Sequence, residues 1–281
     1  MTFFRKIAIC ALAAAALCSC SKKVTVIAVD EVFFTASVKS YTTKASDSAF
    51  EDGDKVRIMA GSPIDETSVG TVTGGLISLD VPMRWIKGQK EATTFAAVYQ
   101  AGGVVDASSN LSYDLLGGGR HDYQAHDKFL VAVRTAEPLK TVDLEFVHPF
   151  SKMVISISNN LSGDNVAKVE IDGVVMKGSV NIAEKSIELS GTKSKFDAVK
   201  LASDKYAAVV MPQTAAPGIV VTTASGVVFH FNLESPFVFE GGAAYSADLT
   251  LDAETQPSAA TFTFKATPWA SGGSLDYSLV E

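Results

Sequence analysis

The sequence predicts an all-β fold built as two tandem antiparallel β-sandwiches. Short runs rich in Val, Ile, Phe, Thr and Tyr recur along nearly the whole chain, divided by Gly, Asp, Ser and Pro clusters. Several runs alternate apolar and polar residues with period two, the mark of strands with one dry and one wet face. Beyond the N-terminal apolar run, no stretch carries the stripe of about 12 residues expected of an amphipathic helix.

The N-terminus comes first. Arg5 and Lys6 precede an apolar run from Ile7 to Leu17, and small residues lead to Cys20. This is the layout of a bacterial secretory signal, and the run is shorter than the roughly 20 residues that span a bilayer. Leu17-Cys18-Ser19-Cys20 reads as a lipobox. Residues 1–19 are therefore expected to be a lipoprotein signal peptide, cleaved before Cys20, whose thiol is then acylated. All three cysteines, Cys10, Cys18 and Cys20, lie in this region. A mature chain would keep only the lipidated one, which excludes disulfides, a cysteine nucleophile and thiolate metal sites. The roughly 260 residues that remain suffice for two ordinary domains. The balance is acidic, with 24 basic and 31 acidic residues and a net charge of −7. Nucleic acid, which needs a basic footprint, is excluded as a partner.

The strands follow. Val142, Leu144 and Phe146 share one face, with Asp143 and Glu145 between them; Met153, Ile155 and Ile157 share another, with Ser156 and Ser158 on the opposite side. The buried parity flips from even to odd across His148-Pro149, and a one-residue slip sends every side chain to the other face. Proline also lacks the amide that a central ladder needs. A bend or strand change is expected at His148 to Ser151, dividing the chain into domains 20–147 and 148–281. Further along, Val227, Phe229, Phe231 and Leu233 form one face, as do Tyr245, Ala247, Leu249 and Leu251, then Phe262 and Phe264, and finally Leu275, Tyr277 and Leu279.

Catalytic signals are thin. No G-x-S-x-G elbow, P-loop or G-x-G-x-x-G occurs, and the triplet Gly117-Gly118-Gly119 precedes no helical pattern. The segment from Arg120 to Asp127 gathers His121, His126 and two aspartates, and reads as a polar surface loop entering a strand at Lys128 to Val133. No metal and no cofactor is expected. Asp52-Gly53-Asp54 reads as a turn with the glycine at positive φ. His230 falls on a polar face. His148 stands alone and reads as a framework residue, partnered by a carbonyl or hydroxyl at the domain junction. Trp85, Tyr99, Tyr113 and Tyr123 are the aromatics that could stack on sugar rings.

Several segments together resemble the fimbrillin-like fimbrial subunits of Bacteroidetes. They are "AFEDGDKVRIMA" (Ala49 to Ala60), "TTFAAVYQ" (Thr93 to Gln100), "AHDKFLVA" (Ala125 to Ala132), "LEFVHPFSKMVISI" (Leu144 to Ile157), "KYAAVVMPQ" (Lys205 to Gln213), "FVFEGGAAYSADLTL" (Phe237 to Leu251) and "TPWASGG" (Thr267 to Gly273). The resemblance implies two transthyretin-like, Greek-key sandwiches in a lipoprotein displayed at the outer membrane. It also implies service in a fimbria, as stalk, anchor or tip, with adhesion as the outcome and other fimbrial subunits as partners. In such proteins an N-terminal strand fills a groove of the first domain, an arginine-directed protease removes it, and a neighbour's strand, often C-terminal, takes its place. Affinity comes from ladder hydrogen bonds and specificity from alternate side chains in pockets.

Carried onto this chain, Val24 to Val29, extending toward Val38, is the removable strand. Leu275, Tyr277 and Leu279, within residues 274–280, form the donor strand. The family's Thr-Arg step reads Thr43-Lys44 here, and no arginine lies between Cys20 and Arg57. Lys39 and Lys44 are the candidate processing positions. The alternative reading is a monomeric surface lipoprotein that binds a glycan or a host protein.

Overall fold

The computed structural model describes residues 30–39, 50–100, 110–119, 121–233, 235–252 and 260–269. In chain order the strands are β1 (Phe34–Val38), β2 (Lys55–Ala60), β3 (Thr67–Thr73), β4 (Leu76–Leu79), β5 (Thr93–Tyr99) and β6 (Asn110–Asp114). A five-residue helix α1 (Tyr123–Asp127) precedes β7 (Leu130–Ala136), β8 (Val142–Phe146), β9 (Ser151–Asn159), β10 (Val166–Asn181) and β11 (Ser186–Asp197). Then come β12 (Val199–Ala202), β13 (Lys205–Val210), β14 (Gln213–Ala215), β15 (Gly218–Thr223) and β16 (Val228–Leu233). The last are β17 (Phe237–Phe239), β18 (Ala243–Leu251), β19 (Ala260–Phe262) and β20 (Lys265–Pro268). The protein is all-β, as its periodicity predicts.

The first half is one seven-stranded sheet, ordered β7-β5-β2-β3-β4-β1-β8. The sheet curls until its two ends meet: Val131 and Val147 exchange both backbone hydrogen bonds, at 2.9 and 2.8 Å. Inside lie Val56, Ile58, Phe95, Ala97, Leu144 and Phe146, all buried. The alternation of β8 explains its place, since Val142, Leu144 and Phe146 point inward while Asp143 and Glu145 stay wet.

Among the described residues the second half has two large sheets, β11-β10-β15-β16-β19 and β12-β13-β9-β18-β20, and a small β14-β17 sheet, over a shared core. The flip at His148-Pro149 is where the chain passes from β8 in the first sheet to β9 in the five-stranded one. Most pairs are antiparallel; among the described residues β1 with β8, β9 with β18 and β16 with β19 are parallel. The alternation of β18 lies as read, with Tyr245, Ala247, Leu249 and Leu251 buried. Val227 departs from its expected face and is exposed, because β16 begins one residue later.

Residues 110–119 and 121–129 cross between the halves. β6 pairs antiparallel with β10, from Asn110 opposite Asn181 to Asp114 opposite Lys177. Leu111, Leu115, Tyr123 and Phe129 join the second core, together with Met59, Ala96, Val98 and Val131 from the outer face of the first sheet. This corrects the reading of Arg120 to Asp127 as a polar surface loop. The glycine triplet forms a 3-10 turn, Asp122 caps α1 by accepting from the Ala125 amide at 3.1 Å, and the helix turns His126 inward. The His126 Nε2 lies 3.0 Å from the Leu115 carbonyl, and the His121 Nε2 lies 2.8 Å from that of Val209.

Candidate functional site

The functional question rests on β1, and its sequence explains its setting. Val32, Phe34, Ala36 and Val38 alternate inward; Phe33, Ser37 and Lys39 face out. Phe34 is buried edge-on against Phe95, with centroids 5.2 Å apart, and Phe95 meets Trp85 in the same way at 5.7 Å. Burying a phenylalanine contributes about 2–3 kcal/mol. Ala36 and Val38 pack on the same core.

β1 has a neighbour on each side. It runs parallel to β8 in unbroken register, Phe34 opposite Val142 through Val38 opposite Phe146. It runs antiparallel to β4 over two rungs, Phe34 opposite Ile77 and Thr35 opposite Leu76. The Val142 amide donates to the Phe33 carbonyl and the Lys39 amide to the Phe146 carbonyl, each at 2.8 Å; the Ala36 amide donates to Gly75, also at 2.8 Å. Ahead of β1, the Trp85 amide donates to Asp30 at 2.7 Å and the Val32 amide to Met83 at 3.0 Å. Thr35 Oγ1 donates to Asp143 at 2.6 Å. Gly70 supports this wall from β3: a Cβ there would stand 2.3 Å from Ile77 Cγ2.

β1 thus occupies a slot. Adjacent strands sit about 4.8 Å apart, so without β1 the facing edges of β4 and β8 would stand about 10 Å from each other. Both edges would carry unpaired backbone groups, a template for another strand. Lys39, the first candidate processing position, is exposed directly after β1. Val24 to Val29, Lys44, Cys20, Leu275, Tyr277 and Leu279 lie outside the described residues.

The other singled-out residues serve the framework. Gly53 has φ +103; Asp52 accepts from the Gly74 amide at 2.7 Å and Asp54 from the Glu51 amide at 2.9 Å, which is the expected turn. His230 is exposed. His148 is buried, and the expected carbonyl or hydroxyl partner is replaced by a ring: it stacks on Trp269 at 4.2 Å, the planes 9° apart. Among the described residues neither of its ring nitrogens has a hydrogen-bond partner of normal geometry. Burial pushes its pKa down to about 4; Asp127 and the Phe129 backbone oppose the shift weakly and Lys152 adds to it. Burial also holds His121 at about 4 and His126 below the usual range.

Lys152 Nζ bridges this region, 2.9 Å from Asp127 and over the rings of Tyr123 and Trp269. Trp85 and Tyr123 are buried, so they offer no face to a sugar. Tyr99 is tied to Asp54 at 3.1 Å, with its pKa raised to about 12 by burial and that carboxylate. Among the described residues no three His, Cys, Asp or Glu side chains come together as a metal site.

Solved structures share this fold. A candidate cell adhesion protein from Bacteroides uniformis aligns with a TM-score of 0.67 at 16% identity, covering 86% of this chain and 100% of that one. Another from Bacteroides ovatus aligns at 0.65 and 16%, covering 90% and 99%. A C-terminally truncated tip fimbrial protein from Porphyromonas gingivalis aligns at 0.51 and 8%, covering 85% and 100%. No curated protein matches the sequence. A family model described as fimbrillin-like matches residues 43–269, and the chain accordingly belongs to the fimbrillin-like family, one of fimbrial proteins and not of enzymes.

Proposed function

We propose that this chain is a structural subunit of a surface fimbria that joins its neighbours by donor-strand exchange, with β1 as the strand held in place until exchange. The observation that carries this reading is the insertion of β1 between β4 and β8, with alternate side chains inward and both edges hydrogen-bonded. A strand held in that way is replaceable by another of similar pattern. Cleavage after Lys39 or Lys44 frees β1 covalently from the rest of the chain. The alternating Leu275, Tyr277 and Leu279 of a neighbour then supply the incoming strand. Before cleavage, lipid on Cys20 holds the subunit at the outer membrane. In this reading residues 20–147 accept the strand and residues 148–281 donate it.

Limited digestion with a lysine-specific protease tests this. The intact protein is expected to stay monomeric, and protein cut after Lys39 or Lys44 to form ladders that survive mild denaturation. A cut protein that remains a stable monomer at high concentration sinks the proposal. Deletion of residues 273–281 is expected to abolish the ladders while leaving the fold intact.

A further inference from the structure

The turn between β7 and β8 reads Glu137-Pro138-Leu139-Lys140. Leu139 sits at its tip with φ 63, a conformation that leucine rarely adopts, and the residue is 69% exposed. A bulky apolar residue held in a strained conformation and offered to water points to use rather than to packing. Glu137 and Lys140 flank it, both exposed and neither in an ion pair among the described residues.

The second half carries a matching hollow. A cleft of about 430 Å³ opens where β9 ends, β10 begins and the β12–β13 turn passes. Its lining is mixed: Val166 and the buried Ile157 are its apolar residues, beside Asn159, Asn165 and Ser203. Lys200 and Asp204 stand at its rim, both exposed and, among the described residues, also outside any ion pair. The volume is ample for a leucine side chain. The rim offers a cation to Glu137 and an anion to Lys140. Along the chain the tip precedes β8 and the cleft follows β9, the two strands lying in different sheets.

We infer that Leu139 of one copy seats in the Ile157–Val166 cleft of a second copy, with Glu137 facing Lys200 and Lys140 facing Asp204. In the proposed arrangement each copy uses its tip on one neighbour and its cleft on another, so the contact is heterologous and repeats from subunit to subunit. It rests on the strand-exchange reading and adds to it a body contact that sets the angle between successive subunits. The opposed charges fix register more than they add affinity.

The test uses full-length protein cut after Lys39 or Lys44, with self-association followed by sedimentation and groove occupancy by capture of a labelled peptide of residues 273–281. Leu139→Asn suits the backbone conformation and is expected to leave thermal stability unchanged or higher while weakening association at least tenfold. Peptide capture is expected to stay the same. The pair Lys200→Glu with Asp204→Lys is expected to weaken association as well, and adding Glu137→Lys with Lys140→Glu to restore it, a coupling that independent effects would not produce. Unchanged association in Leu139→Asn overturns the contact, as does failure of the charge swap to restore it. Association of the cleft variant only with a different fimbrial protein overturns the choice of a second copy. If the cut native protein neither associates nor captures peptide, the strand-exchange reading falls first and this contact with it.

Discussion

The backbone amide of Lys39 donates to the carbonyl of Phe146 at 2.8 Å, closing the last rung between β1 and β8. Two residues after Phe146 comes His148, stacked on Trp269, the last described residue of the chain. The end of β1 and Trp269 are thus linked through Phe146 and His148 by a few bonded and stacked groups.

Phe34 is the deepest contact of β1. Phe34→Ala in the uncut protein is expected to cost about 3–5 kcal/mol, the usual cost for a buried phenylalanine. Because the loss falls on the strand itself, hydrogen exchange is expected to rise first at residues 34–38 and 142–146. Denaturant titration with exchange mass spectrometry measures both.

Gly70 tests the wall behind the slot. Gly70→Ala places a methyl into Ile77 and is expected to cost about 1–3 kcal/mol by overpacking. Pairing the change with Ile77→Val is expected to recover part of the loss. If the two costs add without recovery, the clash is not the cause.

Trp269 and His148 form a framework pair. Trp269→Ala is expected to cost about 3–5 kcal/mol. His148→Phe keeps an aromatic face and removes two unpartnered nitrogens, so it is expected to be nearly neutral at pH 7.5. Thermal melts of the two variants give the comparison.

Stability is expected to depend on pH through the buried histidines. His121 and His148 hold pKa values of about 4, against 6.5 for the free side chain, and His126 is lowered too; burial comes first among the causes in each. The unfolded chain therefore binds more protons between pH 6.5 and pH 4. Stability is full above pH 6.5 and falls as the pH drops toward 4, by up to about 1.4 kcal/mol per pH unit for each of His121 and His148, with His126 acting in the same direction. Asp122, Asp114, Asp127 and Lys152 face these rings and modulate the slope. His148→Phe is expected to flatten the profile, as read by denaturant midpoints from pH 7.5 to 4.5.

Much of the fold was legible because period two is a local signal. β8 alternates cleanly and β18 does so from Tyr245 onward, while β9 is buried on both faces over Ser151–Ile155; Pro149 marks the change of sheet. Less could be read where partners are distant. Nothing in Phe34–Val38 says that its parallel neighbour lies 108 residues on, and the doublet Phe33-Phe34 blurs the alternation of β1 itself. His121 and His126 sit among Asp122, Gln124 and Asp127, which reads as solvated; the short turn of α1 and the pairing of β6 with β10 bury His126 and half-bury His121, and neither has a periodicity to find. For His148, isolation in sequence pointed to a framework role, but a stack with Trp269 depends on tertiary packing alone.

Amide exchange at Val142–Phe146 tests the central claim most directly. These residues are expected to be protected in intact protein, exposed after cleavage at Lys39 or Lys44 and removal of β1, and protected again when a peptide of residues 273–281 is added. Protection that survives the loss of β1, or that the peptide does not restore, would contradict the account.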